Sequence, residues 1–245
     1  MLLELFSNTV EGEKTKAIES LIAHSSPRTQ FFFMIMLSVA MATLGTLLNS
    51  TIVLIASMLI APMLYPVLSL AMGLVMGDTH LASRSGVTLV KAVVVALGAS
   101  TILGLLLRPS IFDGATLAAQ VTNPEFLLLS AIVAIVAGIA GSYALVKTEF
   151  SEHLTGVAIA VALVPPLAAV GVGISIANFD LARGAFLLFA INIVGIVSSA
   201  TVVFSLFRLS TERTVAVKAT KADEKEVAKE KKEAAVEAAA EKITS

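Results

Sequence analysis

Residues 44–78 read LGTLLNSTIVLIASMLIAPMLYPVLSLAMGLVMGD, and the only charged residue among them is the final Asp78. The apolar run over residues 51–76 is long enough to cross a hydrocarbon core of about 30 Å as an α-helix. Pro62 and Pro66 lie near the middle of this run, where a proline removes a backbone donor from a helix. The stretch therefore predicts a membrane-spanning helix that is broken halfway.

The whole chain has the composition of a membrane protein. Of its 245 residues, 57% are hydrophobic and 14% are charged, and the mean hydropathy is +0.92. Only five basic and six acidic residues fall between Phe31 and Phe207, too few to solvate a soluble domain of that size. The net charge of −1 gives no sign of a nucleic-acid partner. The absence of cysteine excludes disulfides and thiolate metal sites.

Six apolar runs predict an all-α integral membrane protein with about six transmembrane helices. The first two runs are separated only by Asn49 and Ser50, which predicts a tight helical hairpin. The longest connection, residues 108–125, is expected to form an external loop. The predicted spans cover residues 31–48, 51–76, 87–107, 126–146, 154–176 and 185–207.

The predicted transmembrane domain, residues 31–207, is flanked by a leader over residues 1–30 and a charged tail over residues 208–245. The leader contains an amphipathic helix at residues 14–23, which either lies along the membrane surface or is solvated. The tail is rich in Ala, Glu and Lys, which favour helix, and we expect a solvated, partly frayed helix. The apolar face of the leader helix consists of Ala17, Ile18, Leu21 and Ile22.

The distribution of Lys and Arg orients the predicted spans. With an even number of spans, both termini lie on one side of the membrane, and most basic residues collect there. Only Arg108 and Arg183 fall on the other side. The positive-inside rule therefore predicts a multi-pass protein of the cell membrane with both termini in the cytoplasm. The basic residues of that side are Lys14, Lys16, Arg28, Arg84, Lys147, Arg208, Arg213 and those of the tail.

The two halves of the transmembrane domain, roughly residues 31–107 and 126–207, resemble each other. Residues 55–62 (IASMLIAP) align with residues 159–166 (IAVALVPP), and a polar turn with an aspartate, Asp78 or Asp180, follows each. Because each half holds three spans, the second half would be reversed relative to the first. This pattern predicts two inverted three-helix repeats with broken second and fifth spans, an architecture typical of secondary transporters.

Small residues recur at every fourth position in the first and fourth spans. Such rows allow helix backbones to approach closely in lipid, where hydrophobicity does not hold helices together. We expect these spans to pack at the centre of the bundle or at a subunit interface. The rows are Ser38, Ala42, Thr46 and Ser50 in the first span and Ser130, Ala134, Gly138 and Ser142 in the fourth.

The prolines of the second and fifth spans mark a candidate site at mid-membrane. Backbone carbonyls freed by a proline must be satisfied by protein, water or an ion, and broken helices in both halves are a signal for a transport pathway. Simple packing kinks are the alternative. For Asn192, in the sixth span, the sequence allows two interpretations: its side chain coordinates an ion, or it forms an interhelical hydrogen bond. The predicted pathway residues are Asn49, Ser57, Pro62, Tyr65, Pro66, Pro165, Pro166 and Asn192.

Residues suited to catalysis or metal binding are scarce. The three histidines, His24, His80 and His153, lie in polar connections and lack the spacing of metal ligands. No carboxylate lies deep in a predicted span, which argues against a buried proton relay. Lys91, inside the third span, is expected to reach the membrane surface with its long side chain. We therefore expect no enzyme activity, no cofactor and no bound metal.

Three segments resemble the membrane family called domain of unknown function 389. They are residues 44–78, residues 158–174 (AIAVALVPPLAAVGVGI) and residues 184–196 (GAFLLFAINIVGI), and the resemblance covers roughly residues 30–207. It implies an integral membrane protein that functions as a transporter or a channel, without an agreed substrate. Many members carry an additional soluble domain, whereas this sequence shows a short leader and a charged tail.

The sequence favours a membrane transporter. A small solute or a monovalent ion is the expected substrate, because the predicted spans lack the buried charges that a multiply charged substrate would need. An oligomeric ion channel and a non-transporting membrane scaffold are the alternatives. The expected partners are the lipid bilayer, further copies of the chain and an unknown solute or ion. A homo-oligomer is expected because six spans leave little room to enclose a pathway.

Overall fold

The computed structural model describes residues 11–107, 112–147 and 163–244, and the side chains of the last helix as far as Val236. These residues form ten α-helices and a 3₁₀ turn at Leu209–Glu212, without any strand. The helices are α1 (Glu11–His24), α2 (Thr29–Leu47), α3 (Thr51–Ile60), α4 (Leu64–Met76), α5 (Thr79–Leu107), α6 (Gly114–Val121), α7 (Pro124–Val146), α8 (Val164–Ser175), α9 (Phe179–Leu206) and α10 (Arg213–Thr244).

Four of these helices, α2, α5, α7 and α9, are long and apolar enough to cross a membrane. Helices α3 and α4 form a fifth candidate span, which is bent by 54° at the break between them. The predicted fifth span is only partly described, because residues 154–162 lie outside the described ranges and α8 supplies the rest. The described part of the chain thus confirms an all-helical protein with four or five candidate spans and a broken second one.

The helix of the third predicted span, α5, begins earlier than the apolar run predicts. Helix α5 starts at Thr79, not at residue 87, because Asp78 caps it. The Asp78 carboxylate accepts hydrogen bonds from the backbone N–H groups of His80 and Leu81 at 3.0 and 3.1 Å. A side-chain acceptor at this position satisfies donors that have no partner inside the helix.

The bundle has two distinct ends. The basal end is defined here by α1, α10 and the α4–α5 turn, where His80 lies 3.4 Å from Glu224 of α10. The distal end is defined by α6, the α2–α3 turn and the α8–α9 turn. There the side-chain amide of Asn178 donates to the carbonyl of Gly114 at 3.3 Å. The α4–α5 and α8–α9 turns therefore lie at opposite ends of the bundle.

The turns α2–α3, α4–α5 and α8–α9 share one hydrogen-bond pattern. In each, the first helix ends on a residue with positive φ, and the next N–H donates to a glycine carbonyl five residues earlier, which is a Schellman motif. The turns span residues 45–50, 73–78 and 173–178, and the closing bonds measure 2.9, 2.9 and 2.8 Å. The positive-φ residues are Asn49, Gly77 and Ala177.

Glycine is required at the start of these turns by close approach of the next helix. A Cβ on Gly73 or Gly173 would lie 2.7 Å from the backbone nitrogen of Ala82 or Ala182. Real Cβ contacts are essentially never that short, so the following backbone would have to move. The turn geometry thus depends on the absent side chain.

The turns of the α4–α5 and α8–α9 hairpins match at positions 100 apart. Gly73, Gly77 and Asp78 correspond to Gly173, Ala177 and Asn178. The sequence alignment of Pro62 with Pro166 and of Asp78 with Asp180 is therefore wrong. Pro66 is the counterpart of Pro166, and Asn178 caps α9 by accepting from the Leu181 N–H at 3.0 Å. The cap and the positive-φ residue, not the nearest aspartate, determine where the turn lies.

The leader helix is part of the protein core. All four residues of its apolar face, Ala17, Ile18, Leu21 and Ile22, are buried, and α1 packs on α4, α7 and α10. The interpretation as a solvated helix is therefore wrong, and the apolar face that was assigned to the membrane surface contacts the protein instead. Apolar spacing predicted the buried face correctly but not the surface that covers it.

The beginning of the tail is also docked. Ala216, Thr220 and Asp223 are buried along one face of α10. Asp223, with 6% of its side chain exposed, accepts from Ser26 at 2.7 Å and from Arg28 at 3.1 Å, and it also pairs with Arg84. The expectation of a solvated tail is wrong for this part of α10 and holds from residue 228 to Val236, where every residue is exposed.

We expect the two positive-φ residues Gly77 and Ala177 to respond in opposite ways to exchange. Replacing Ala177 with Gly should raise the free energy of unfolding by about 1 kcal/mol, because only Gly adopts this conformation without a Cβ penalty. Gly77→Ala should lower it by a similar amount. Thermal unfolding in detergent measures both, and Gly98→Ala, at a helical site with open space around it, is the control. Shifts of the same sign at 77 and 177 would contradict the turn assignment.

A second prediction concerns the carboxylate of Asp223. Asp223→Ala leaves Arg28 and Arg84 without their shared partner and should destabilise the protein by about 3 kcal/mol. Glu233→Ala removes an exposed carboxylate of the same helix, which pairs with Lys229 at 3.8 Å, and should cost less than about 0.5 kcal/mol. Equal melting temperatures for the two variants would show that the tail is not held by this cluster.

Candidate functional site

A cavity of about 230 Å³ lies among α2, α3, α6, α8 and α9. A second one of about 190 Å³ adjoins it, since Thr46, Asn49, Leu117 and Gln120 line both. We call the two together the distal cavity. Asp113 and Thr116 line its outer part, and Pro165, Pro166 and Asn192 line its inner part.

The inner part of the cavity is formed where α8 begins inside the bundle. Helix α8 has 12 residues and ends at the distal turn, so its first residue, Val164, lies about 18 Å below that end. Pro165 and Pro166 are in the first helical turn, where backbone N–H groups have no partner inside the helix. Prolines favour this position, and the residues before Leu163 that would show whether a helix is interrupted here lie outside the described ranges.

Asn192 reaches the same depth from α9. Its side chain is buried, with 5% of the residue exposed, and it lines the cavity beside the start of α8. A carboxamide offers both an acceptor oxygen and two donor hydrogens. This position therefore presents a group that can both donate and accept hydrogen bonds beside the start of α8.

At the break between α3 and α4, a side chain of the protein satisfies a backbone carbonyl group. Helix α3 ends at Ile60, and the Ser38 hydroxyl of α2 donates to the carbonyl of Ser57 at 2.7 Å. The Ser57 hydroxyl donates to the Leu54 carbonyl within its own helix at 2.6 Å. A neighbouring serine thus satisfies a carbonyl at the end of a broken helix, as required in a membrane.

The structure brings together only some of the predicted pathway residues. Asn49, Pro165, Pro166 and Asn192 line the distal cavity, whereas Ser57, Pro62, Tyr65 and Pro66 are absent from its described lining. The Tyr65 ring stacks instead on His24 of α1, with ring centroids 4.8 Å apart. The two breaks therefore have different surroundings, although their hairpins match.

The rows of small residues lie inside the chain. A Cβ on Gly138 would lie 2.1 Å from the Ser199 hydroxyl of α9, and a Cβ on Gly195 would lie 2.9 Å from Ala134. The face of α7 with Ala134, Gly138 and Ser142 is thus buried against α9, while Ser130 is only half-buried. In α2, Ser38, Ala42 and Thr46 are buried.

Sequence reasoning missed the contribution of the segment before α7, which it treated as an external loop. Asp113 caps α6 by accepting from the N–H groups of Ala115 and Thr116 at 3.1 and 3.2 Å, and it also accepts from the Thr116 hydroxyl. The hydrogen bonds from Thr116 lower the pKa of this exposed carboxyl, with help from the Ala115 N–H. An Asp two residues before a short Ala-rich run is a capping signal that would have revealed the helix.

The charge of the cavity is set by this one side chain. Among the described residues that line it, Asp113 is charged and there is no Lys, Arg or His. The other polar groups are the hydroxyls of Thr46 and Thr116 and the carboxamides of Asn49, Gln120 and Asn192. In the described ranges, no group of three His, Asp or Glu side chains is arranged to hold a metal ion.

Comparison with known proteins gives a family but no activity. The family model described as Domain of unknown function (DUF389) matches residues 58–198, more than half of the chain. An uncharacterised protein of Methanocaldococcus jannaschii is 36% identical over 180 residues, which cover 74% of this chain and 55% of that protein. The chain thus spans about half the length of this curated relative. No solved structure matches the chain described here.

Proposed function

The chain belongs to the DUF389 family, as residues 44–78 indicated, and from this premise we propose that it is a membrane transporter of a small solute or monovalent ion. The observation that carries this proposal is the distal cavity. It leads from the distal surface to the start of a helix at mid-bundle, where Asn192 presents a polar group. Irregular backbone at membrane depth is tolerated where it is enclosed by protein or lines a cavity.

The proposed architecture is the six-span inverted repeat. Its support is the pair of matching hairpins at opposite ends of the bundle, each with a short first helix, α4 or α8. In inverted-repeat transporters such discontinuous helices meet at the substrate site. The distal cavity would then represent one of the two access states.

The basal end supplies the complementary closed side. There, α1 packs against α4, and His24 stacks on Tyr65 close to the start of that helix. Transport would require this contact to loosen when the distal cavity closes. Because the connection between α1 and α2 is tied to α10 through Ser26, Arg28 and Asp223, the tail would move with it.

The proposed surroundings are a lipid bilayer and further copies of the chain. Large apolar side chains such as Leu106, Leu128 and Val194 are exposed on the long helices and suit a lipid interface. A homo-oligomer remains our proposal because few spans enclose the pathway. The small row of α7 is buried against α9, so a subunit contact must use other surfaces.

The test of transport is a flux screen with the purified full chain in proteoliposomes, covering monovalent ions and small metabolites. Saturable uptake of one class supports a transporter, whereas non-saturating ion flux with single-channel steps indicates the channel. No flux of any solute would favour the membrane scaffold. Deleting residues 231–245 while measuring flux tests whether the tail recruits partners, and it leaves in place Asp223, which holds α10 to the bundle.

We expect Asn192→Leu to reduce flux per folded molecule at least about five-fold, because it removes the polar group of the inner cavity while Leu is tolerated in lipid-facing and apolar surroundings. Ser198→Leu is the matched control, since it changes a polar residue to Leu on an exposed face of the same helix. Melting temperature in detergent corrects for folding. Wild-type flux in Asn192→Leu would show that the inner cavity is not part of the pathway.

The proposed orientation places both termini in the cytoplasm and Asp113 outside. The basal and distal ends carry Ala222 and Asp113, so cysteines at these positions should be labelled from opposite sides of an intact membrane. An impermeant maleimide applied to whole cells should modify Asp113→Cys, and it should modify Ala222→Cys only after permeabilisation. Labelling of Asp113→Cys only from inside would reverse the orientation.

A further inference from the structure

The outer part of the distal cavity carries a fixed negative charge. The Asp113 carboxylate is exposed and is held by two backbone N–H groups and the Thr116 hydroxyl. These donors stabilise its ionised form and lower its pKa. Among the described residues, no Lys, Arg or His lies within ion-pair distance of it. The carboxylate lies at the opening of the cavity, where it attracts mobile cations.

The surrounding surface has the same sign. The described part of the distal end exposes Glu125 and Asp180 in addition to Asp113. With Arg108, which the sequence assigns to the same side, three carboxylates stand against the two guanidiniums of Arg108 and Arg183. Charges of one sign around a concave opening raise the local concentration of oppositely charged solutes. Cations are thus enriched at this opening and anions are depleted.

The inner part of the cavity offers neutral oxygen ligands. Thr46 supplies a hydroxyl, and Asn49, Gln120 and Asn192 supply carboxamide oxygens. Uncharged oxygens replace part of the water shell of a monovalent cation without holding it too tightly for release. Divalent cations are held mostly by several carboxylates, and the described lining contains only one.

From this arrangement we propose that the distal cavity selects monovalent cations over anions and that Asp113 determines this selectivity at the opening. The proposal rests on the proposed transport function and specifies its substrate class. Asp113 acts by attraction from the outer part, so it governs the rate of cation entry rather than binding at the inner part. Its effect must therefore weaken as salt screens the charge.

The experiment measures uptake of radiolabelled rubidium and chloride by the full chain in proteoliposomes of neutral lipid. Wild-type protein should take up rubidium faster than chloride. Asp113→Asn should lower rubidium uptake about three-fold at an ionic strength of about 0.01 M, the effect of one charge at about 6 Å in water. At about 1 M salt, where the screening length is about 3 Å, the difference should disappear.

The variant is suited to this purpose because Asn is as good a helix cap as Asp, so α6 should be retained. Asp180→Asn is the matched control, since it removes an exposed carboxylate of the distal end that does not line the cavity. It should change rubidium uptake by less than Asp113→Asn does. Equal melting temperatures exclude a folding effect.

Three results would overturn the proposal. Chloride uptake equal to that of rubidium would remove the selectivity, and an unchanged rubidium-to-chloride ratio in Asp113→Asn at low salt would remove the role of Asp113. Uptake of a neutral metabolite without either ion would refute cation selection while leaving transport intact. A complete absence of flux in the broader screen would instead refute the proposed function, and this proposal with it.

Discussion

Every backbone N–H and C=O group inside a bilayer must be satisfied by the protein or by water or an ion in a cavity, and this requirement shapes the molecule described here. It explains why the described chain is helical and why its turns recycle the last carbonyls of one helix. The N–H groups of Ser50, Asp78 and Asn178 each close a Schellman motif. The same three residues directly precede the next helix. It also explains the Ser38 hydroxyl on the Ser57 carbonyl. Helices thus change direction with few groups unpaired.

The same requirement explains which features were predictable from sequence. Long apolar runs and prolines in residues 44–78 predicted membrane helices and a broken second span, because both depend on local chemistry. The register of the second half was not predictable, because Ala177 adopts positive φ where glycine is usual and Asn178 replaces an aspartate. Docking of α1 and α10 was missed for another reason. Asp223 meets Ser26 and Arg84 across distances in sequence that no local pattern reveals.

In the candidate site, too, the residues marked by local sequence were predictable and the contacts between distant segments were not. Asn49, Pro165, Pro166 and Asn192 line one cavity, and each could be picked out from sequence as a polar group or a helix start in an apolar run. The contribution of α6 depends on how a short segment folds back over the opening, which spacing does not show. Tyr65 was grouped with the pathway because it lies beside a proline, but the stack on His24 assigns it to the contact with α1.

The two halves share a backbone pattern but differ in what fills the space beside it. Counting back 100 positions, Asn192 corresponds to Ala92 and Pro165 to Tyr65. Ala92 is fully buried, so the first half presents no carboxamide where the second half does. Tyr65 instead contacts α1, whose apolar face is buried against the bundle. Since the hairpin geometry is the same in both halves, the cavity beside α8 and the α1 contact beside α4 arise from side chains and from α1. In the transport cycle that we propose, opening a matching cavity beside α4 would have to displace α1 from that helix.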